Sequence, residues 1–380
     1  MKIAVITNDD LTTWLFRRDL LKELAARNHE VILLYPQGEH VKRFEEMGIM
    51  HIDIPFVQYH DITNDIKVFF TLYKTIKRIK PDIVLCYTIK PNSYGSLAAR
   101  LAGVKRIFSF VCGAGFAFFP TTHFKSRLSR FFGRWMYRIG GICSEKFFFL
   151  NKEDKQLFIK KRIVSHKKCI VIPGEGINLN DYNMEHFDQP SLQQMKKDLK
   201  INDDEVVVIM IGRIMWSKGI REFVETARIA QSWNSKTRFL LVGELNPNTP
   251  DVVHENYLET TSNFQWLGQR NDVEKLIAIS DIVTLPSFYS EGLPRTLLEG
   301  MAMKKPLVTT DHVGCRDTVE HKKTGFLVPP HNIQAFADGV KCLVDNEELR
   351  KKYGEAGFLN AKNKFSSDVI IRKIREEVRL

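Results

Sequence analysis

At 380 residues the chain is longer than one hydrophobic core usually sustains, so two domains of similar size are the starting expectation. A composition of 44% hydrophobic and 27% charged residues, with no low-complexity tract, excludes an extensively disordered chain. The formal charge of +11 leaves three readings open: a nucleic-acid footprint, an anionic-membrane footprint, or a solvated basic surface.

Residues 2–7 (KIAVIT) read as a buried strand that follows the start directly, with no apolar leader and cleavage site. Residues 14–27 have helical spacing, with Leu15, Leu20, Leu21 and Leu24 on one side. Strands follow at 29–35 and 50–54, then a basic helix at 66–80 that Pro81 stops. A strand at 82–86, a helix at 93–102 ended by Gly103 and a strand at 105–111 complete the alternation. The longest charge-free run, 107–124, is broken by Gly113, Gly115 and Pro120, so no membrane-spanning helix is expected. The cysteines (Cys86, Cys112, Cys143, Cys169, Cys315, Cys342) form no CxxC pair. That argues against a zinc site or a disulfide framework, and the expected location is cytoplasmic.

After a polar stretch at 180–204 the pattern restarts. Strands are predicted at 205–211, 238–242, 282–285, 306–309 and 325–328, with helices at 220–233, 272–280 and 295–303. Strands separated by helices imply parallel sheets covered on both faces. The expected organisation is α/β: two Rossmann-like, doubly wound domains at 1–185 and 186–365, with a helix at 366–380 crossing back to the first. Ligands in such sheets sit beyond the carboxyl ends of the strands, here the loops at 8–13, 113–120, 212–219, 243–248 and 287–294.

The strand at 205–211 runs into GRIMWSKG, 212–219. Gly212 lets the chain turn close to a ligand, and Arg213 and Lys218 put two cations on one short loop, a forked donor and a mobile point charge suited to phosphate. The spacing is not that of a Walker loop. The second element is EGLPRTLLE, 291–299. Pro294 fits a first helical turn, Gly292 permits close backbone approach, and the free amides of Arg295, Thr296 and Leu297 make an anion site. Glu291 before the helix and Glu299 within it could grip different parts of one ligand with hydroxyls around a diphosphate.

The order GRxxxxKG, VGE, DIVTLPS, EGLPRTLLEG, GFLVPP resembles the retaining glycosyltransferase family 4, which has the GT-B fold, two domains facing a central cleft. The resemblance covers most of the chain and is strongest from 205 to 330. It implies that Arg213 and Lys218 neutralise the diphosphate of a UDP-sugar donor, with no metal and no other cofactor. It implies further that Glu299 receives the ribose hydroxyls and Glu291 orients the sugar; Gly212, Gly292, Leu293 and Thr296 complete the expected donor set. Glu291, Arg213 and Lys218 would be the catalytic residues, since cations placed in advance stabilise the charge that develops on the leaving diphosphate. No Asp-x-Asp stands where a metal-dependent transferase would hold manganese.

In the first domain the loop 8–13 lacks glycines, so no phosphate contact is carried onto it, and Asn8, or Thr12 and Thr13, is the expected cleft residue. The segments 90–100, 112–118, 148–154 and 172–178 resemble transferases that extend sugars on undecaprenyl diphosphate during O-antigen, capsule or glycoprotein glycan assembly. They imply a cleft wall at Cys112, Gly113 and Gly115, and an N-acetylgalactosamine donor as first choice. From 118 to 140 there are five basic residues and no acid. Arg127, Arg130, Arg134 and Arg138 follow one helical stripe and Phe124, Leu128, Phe131, Phe132, Trp135 and Ile139 largely another, the signature of an interfacial helix. Arg127, Arg130, Arg134, Trp135 and Arg138 are therefore expected to dock on the anionic inner face of a bacterial plasma membrane, where a polyprenyl-linked acceptor resides. A soluble or lipid A-core acceptor on the same fold is the alternative. A basic nucleic-acid-binding protein is a third reading, for which no module is found and no nucleic-acid partner expected.

Overall fold

The computed structural model describes residues 1–57, 62–113, 118, 124–233, 236–247, 249, 251–260 and 263–380, the side chains of 62 and 124–130 also being left aside. Among the described residues the first part of the chain forms a parallel sheet of β1 (Lys2–Ile6), β2 (Glu30–Tyr35), β3 (Met50–Asp53), β4 (Ile83–Tyr87), β5 (Arg106–Val111), β6 (Lys146–Phe149) and β7 (Cys169–Val171), in the order β3-β2-β1-β4-β5-β6-β7. The second part forms a parallel sheet of β8 (Val206–Ile211), β9 (Thr237–Val242), β10 (Gln265–Trp266), β11 (Ile282–Leu285), β12 (Leu307–Thr310) and β13 (Gly325–Val328), ordered β10-β9-β8-β11-β12-β13. Runs such as IVLCY and VVVIMI carry apolar groups on both faces because helices cover both sides of a parallel sheet.

The chain divides into one compact unit of Met1–Gly176 with Ile370–Leu380 and another of Ile177–Val369. The division thus falls at Gly176, ahead of residue 185. In the first unit, Leu20, Leu21 and Leu24 of helix Asp10–Ala26 and Ile370, Ile374 and Val378 of the C-terminal residues pack on one side of the sheet with Ile3, Val5 and Leu85. On the other side, Val68, Leu72 and Ile76 of helix Ile62–Ile79 pack on Ala4, Ile6 and Val84.

Two departures from the sequence reading bear on the sites. Helix Asp10–Ala26 begins four residues before the expected start, because Asp9 accepts the Thr12 amide at 2.7 Å as its N-cap. The expected loop at 8–13 therefore reduces to Asn8 and Asp9. The polar stretch at 180–204 is not a linker: it holds helix Gln189–Asp198, capped by Asp188 and started by Pro190, and belongs to the second unit.

Candidate active site

In the second unit β8 leaves its sheet at Gly212 and reaches helix Ile220–Ala230 through Gly219. Gly219 holds φ +85°, and a Cβ there would stand 2.2 Å from the Pro286 carbonyl oxygen. Only glycine combines that left-handed conformation with so close an approach. The approach lets the loop after β8 bond the loop after β11. The Phe288 and Tyr289 amides donate to the Ser217 carbonyl at 2.8 and 3.0 Å, and the Ser287 hydroxyl reaches the same oxygen at 3.3 Å.

This clamp brings the sequence-predicted residues together. The Lys218 ammonium donates to Glu291 Oε1, with side chains 10% and 12% exposed, and Ser287 Oγ meets the same carboxylate oxygen at 3.1 Å. Tyr289 lies between the cations: Arg213 sits 5.6 Å and Lys218 5.4 Å from its ring centroid. Arg213 is exposed, and among the described residues it makes no ion pair. Gly314, at φ +77°, presses on the other side, where a Cβ would meet the Glu291 carbonyl oxygen at 2.7 Å. The loop after β12 thereby fixes Glu291 and Gly292.

Helix Arg295–Ala302 begins at Pro294 with no side-chain cap on its first amides. Within that turn Thr296 Oγ1 is buried without a hydrogen-bond partner, as Ser217 Oγ is in the facing loop. Gly292 and Leu293 are half-buried at the loop's tip. Glu299 is buried one turn further on, and its Oε1 accepts from Tyr182 OH at 2.7 Å and from Arg295 Nε at 2.9 Å. Burial opposes the Arg295 charge, but Glu299 and Tyr182 outweigh it and hold the guanidinium firmly protonated. Burial, with Glu299 beside it, pushes the Tyr182 phenol well above its usual range. Sequence reasoning missed Tyr182, Ser217 and Tyr289 as members of this site. The only signal for Tyr182 is an aromatic ring in a polar stretch.

In the first unit Asn8 lies two residues past the end of β1 and accepts from the Thr88 hydroxyl at 3.0 Å. Cys112 and Gly113 follow β5, whereas Gly115 and the side chains of Arg127 and Arg130 lie outside the described residues. Cys112 belongs to a cluster not foreseen. Arg17, almost fully buried, reaches Glu175 Oε1 at 2.9 Å, Cys112 Sγ at 3.3 Å and the Thr12 carbonyl at 2.8 Å, over the Tyr87 ring at 4.5 Å. Burial and Glu175 push the Cys112 thiol up to about 12, against the pull of Arg17, so it is a neutral thiol, not a nucleophile. Of the expected docking residues, Trp135 and Arg138 are exposed on helix Phe124–Cys143. Arg134 turns inward with its Nε buried, 5.2 Å from the Phe118 centroid.

Two doubly wound units, one of them carrying a clamp of cations, amides and carboxylates, have the architecture of GT-B glycosyltransferases, and the family matches agree with that class. The first unit matches the glycosyl transferase 4-like family over residues 2–142, and the second matches the family described as glycosyl transferases group 1 over residues 192–359. The chain is similar to the N,N'-diacetylbacillosaminyl-diphospho-undecaprenol alpha-1,3-N-acetylgalactosaminyltransferase of Campylobacter jejuni, 29% identical over 92% of this chain and 91% of that one. It is 28% identical to the UDP-Gal:alpha-D-GlcNAc-diphosphoundecaprenol alpha-1,3-galactosyltransferase of Escherichia coli, covering 76% of this chain and 73% of that one. In fold it matches Anabaena HepE in complex with UDP-glucose, with a TM-score of 0.82 and 19% identity, covering 100% of this chain and 99% of that one.

Proposed function

We propose that this glycosyltransferase moves a sugar, N-acetylgalactosamine as first choice, from a UDP-sugar to an undecaprenyl-diphosphate-linked acceptor in bacterial surface-polysaccharide assembly. The observation that carries this reading is the clamp of Arg213, Lys218, Tyr289 and Glu291 beside the uncapped turn at Pro294–Leu297. The named acceptors of the Campylobacter and Escherichia relatives support the lipid-linked acceptor.

In this reading the donor diphosphate lies on Arg213, Lys218 and the first amides of the helix, and the orphaned Thr296 hydroxyl donates to it. Glu299, held by Tyr182 and Arg295, receives the ribose hydroxyls, while Glu291 orients the sugar. As the glycosidic bond breaks, negative charge grows on the leaving diphosphate. Two fixed cations stabilise it selectively, without a metal. Transfer proceeds with retention on one face of the sugar, the leaving phosphate oxygen taking the acceptor proton and no side chain becoming glycosylated. The enzyme works as a peripheral protein on the inner face of the plasma membrane, docked through helix Phe124–Cys143. Among the described residues no helix is long and apolar enough to cross a membrane.

The test is a screen of UDP-hexoses and UDP-N-acetylhexosamines against a synthetic polyprenyl-diphosphate sugar in the presence of a chelator. Products are read by mass spectrometry and anomeric configuration by NMR. Transfer of N-acetylgalactosamine with retention is expected. Transfer only to soluble sugars, or an absolute need for added metal, overturns the corresponding part of the reading.

A further inference from the structure

Every exposed phenylalanine or tryptophan among the described residues lies on two helices of the first unit: Phe70 on helix Ile62–Ile79, and Phe131, Phe132 and Trp135 on helix Phe124–Cys143. Exposed Ile66 and Ile142 extend the same surfaces. Helix Ser96–Leu101, with its own exposed Leu101, packs between the two, so the outer faces form one surface rather than two patches.

The charge on this surface has one sign. Ile66, Phe70, Tyr73 and Lys77 follow one stripe of helix Ile62–Ile79, flanked by Lys67, Lys74 and Arg78. Lys67, Lys74, Lys77 and Arg78 have no acidic partner among the described residues. No Asp or Glu occurs from 66 to 81, from 83 to 143. The acid of the first helix, Asp65, is buried and neutralised by Lys90 at 2.8 Å. Bulky apolar groups interleaved with unpaired cations, without acids, complement a surface that is anionic outside and apolar beneath.

The surface also has an extent. Helix Ile62–Ile79 leads into the amino end of β4 and helix Phe124–Cys143 into the amino end of β6, so both helices start toward the carboxyl edge of the sheet. Ile66, Phe70, Phe131 and Phe132 fall in those leading halves. These lie toward the edge that carries Asn8, Cys112 and Gly113, while Lys74, Lys77, Arg78, Leu101, Trp135 and Ile142 lie toward the other end, so the surface runs the length of both helices.

We infer that helix Ile62–Ile79 is a second membrane-docking element, which with helix Phe124–Cys143 seats the first unit side-on on an anionic bilayer along the length of both helices. This rests on the peripheral-membrane reading above and adds a contact that fixes orientation. One helix allows the unit to roll about its axis; two flanking helices do not.

The test is sedimentation of the full chain with vesicles of phosphatidylglycerol and phosphatidylcholine, and with phosphatidylcholine alone. Lys67→Gln, Lys74→Gln and Lys77→Gln together remove three cations worth about fivefold each, so binding to the anionic vesicles should fall on the order of a hundredfold. Ile66→Ser with Phe70→Ser should weaken binding at high salt, where charge is screened. All five positions are exposed, and an unchanged thermal midpoint shows that the fold is intact. If these variants bind as the wild type while Trp135→Ser does not, the second element is refuted and the single-helix reading stands. If the wild type ignores both vesicle types, both fail. If ultracentrifugation shows a dimer that the Ile66 and Phe70 variants dissociate, the face belongs to a second copy and the lipid assignment is overturned.

Discussion

Glu291→Gln separates the parts that the Lys218–Glu291 pair plays before and after donor binding. In the free protein the Lys218 ammonium is held by the carboxylate, with both side chains nearly buried. Removing the charge of one partner of a buried pair costs about 3–5 kcal/mol, and because this pair borders a site open to ligand the expected loss is about 3 kcal/mol. The double variant Lys218→Met/Glu291→Gln should lose clearly less than the sum of the singles, since no buried charge is left alone. UDP binding should behave in the opposite way. A diphosphate no longer competes with Glu291 for the ammonium, so Glu291→Gln should bind UDP as tightly as wild type or more so. Lys218→Met should weaken it by about 10- to 100-fold, the loss of one charge-assisted hydrogen bond. Turnover should fall in both by roughly a hundredfold or more, because both act on the departing group or the sugar. Denaturant unfolding, calorimetry with UDP and steady-state kinetics give the three readouts. Should Glu291→Gln lose UDP affinity as steeply as Lys218→Met, the carboxylate is a diphosphate-site residue and not a placeholder. Should neither change turnover tenfold, the clamp is not the reacting site.

Gly219→Ala forces a left-handed alanine whose Cβ meets the Pro286 carbonyl, so it should destabilise the second unit by about 2–3 kcal/mol and weaken UDP binding, measured by unfolding and calorimetry. Tyr182→Phe removes one of the two donors on Glu299 Oε1 and should cost about 1–2 kcal/mol of stability, with a rise in donor KM larger than the fall in kcat. Burial lowers the Lys305 pKa to about 8 from 10.5. Between those values the unfolded chain holds a proton that the folded one has released, so unfolding free energy rises with pH there. The advantage of Lys305→Met over wild type, measured by denaturation, should therefore shrink by up to about 3 kcal/mol between pH 8 and 10.5. A constant difference would show that the Ala278 and Ser280 carbonyls keep the ammonium charged.

The donor clamp was legible because its chemistry is local. Each half is a strand end, a turn and a helix start within ten residues, and period and glycine placement report that geometry directly. Its supports were not legible. Tyr182 comes from a stretch whose polarity reads as a linker but reflects a capped surface helix, and Tyr289 carries no pattern of its own. In the first unit the Arg17, Cys112 and Glu175 cluster joins three elements far apart in sequence, and its burial follows from packing alone. The loop at 8–13 reads as a ligand loop because it follows the carboxyl end of the first strand. Asp9 is instead a helix cap, and Asp10 accepts from the Tyr35 hydroxyl at 3.0 Å and the His40 amide at 2.9 Å.

The basic helix shows most clearly what periodicity leaves open. It assigns Phe131, Phe132 and Trp135 to one stripe, yet an apolar stripe is also what a core-facing helix presents. The glycines decide. A Cβ at Gly140 would stand 2.3 Å from the Asn92 carbonyl oxygen, and one at Gly141 would stand 2.5 Å from that of Ile163. The helix therefore seats on its neighbours through its smallest residues, and Lys168 ties down its last turn by bonding the Gly141 and Ser144 carbonyls at 2.9 and 2.8 Å. With the glycines inward beside the buried Met136 and Tyr137, Phe131, Phe132 and Trp135 on the opposite side are left exposed. An apolar face left outside by a seam that cannot accept a methyl group is fixed by the backbone, so a change of side-chain packing does not hide it.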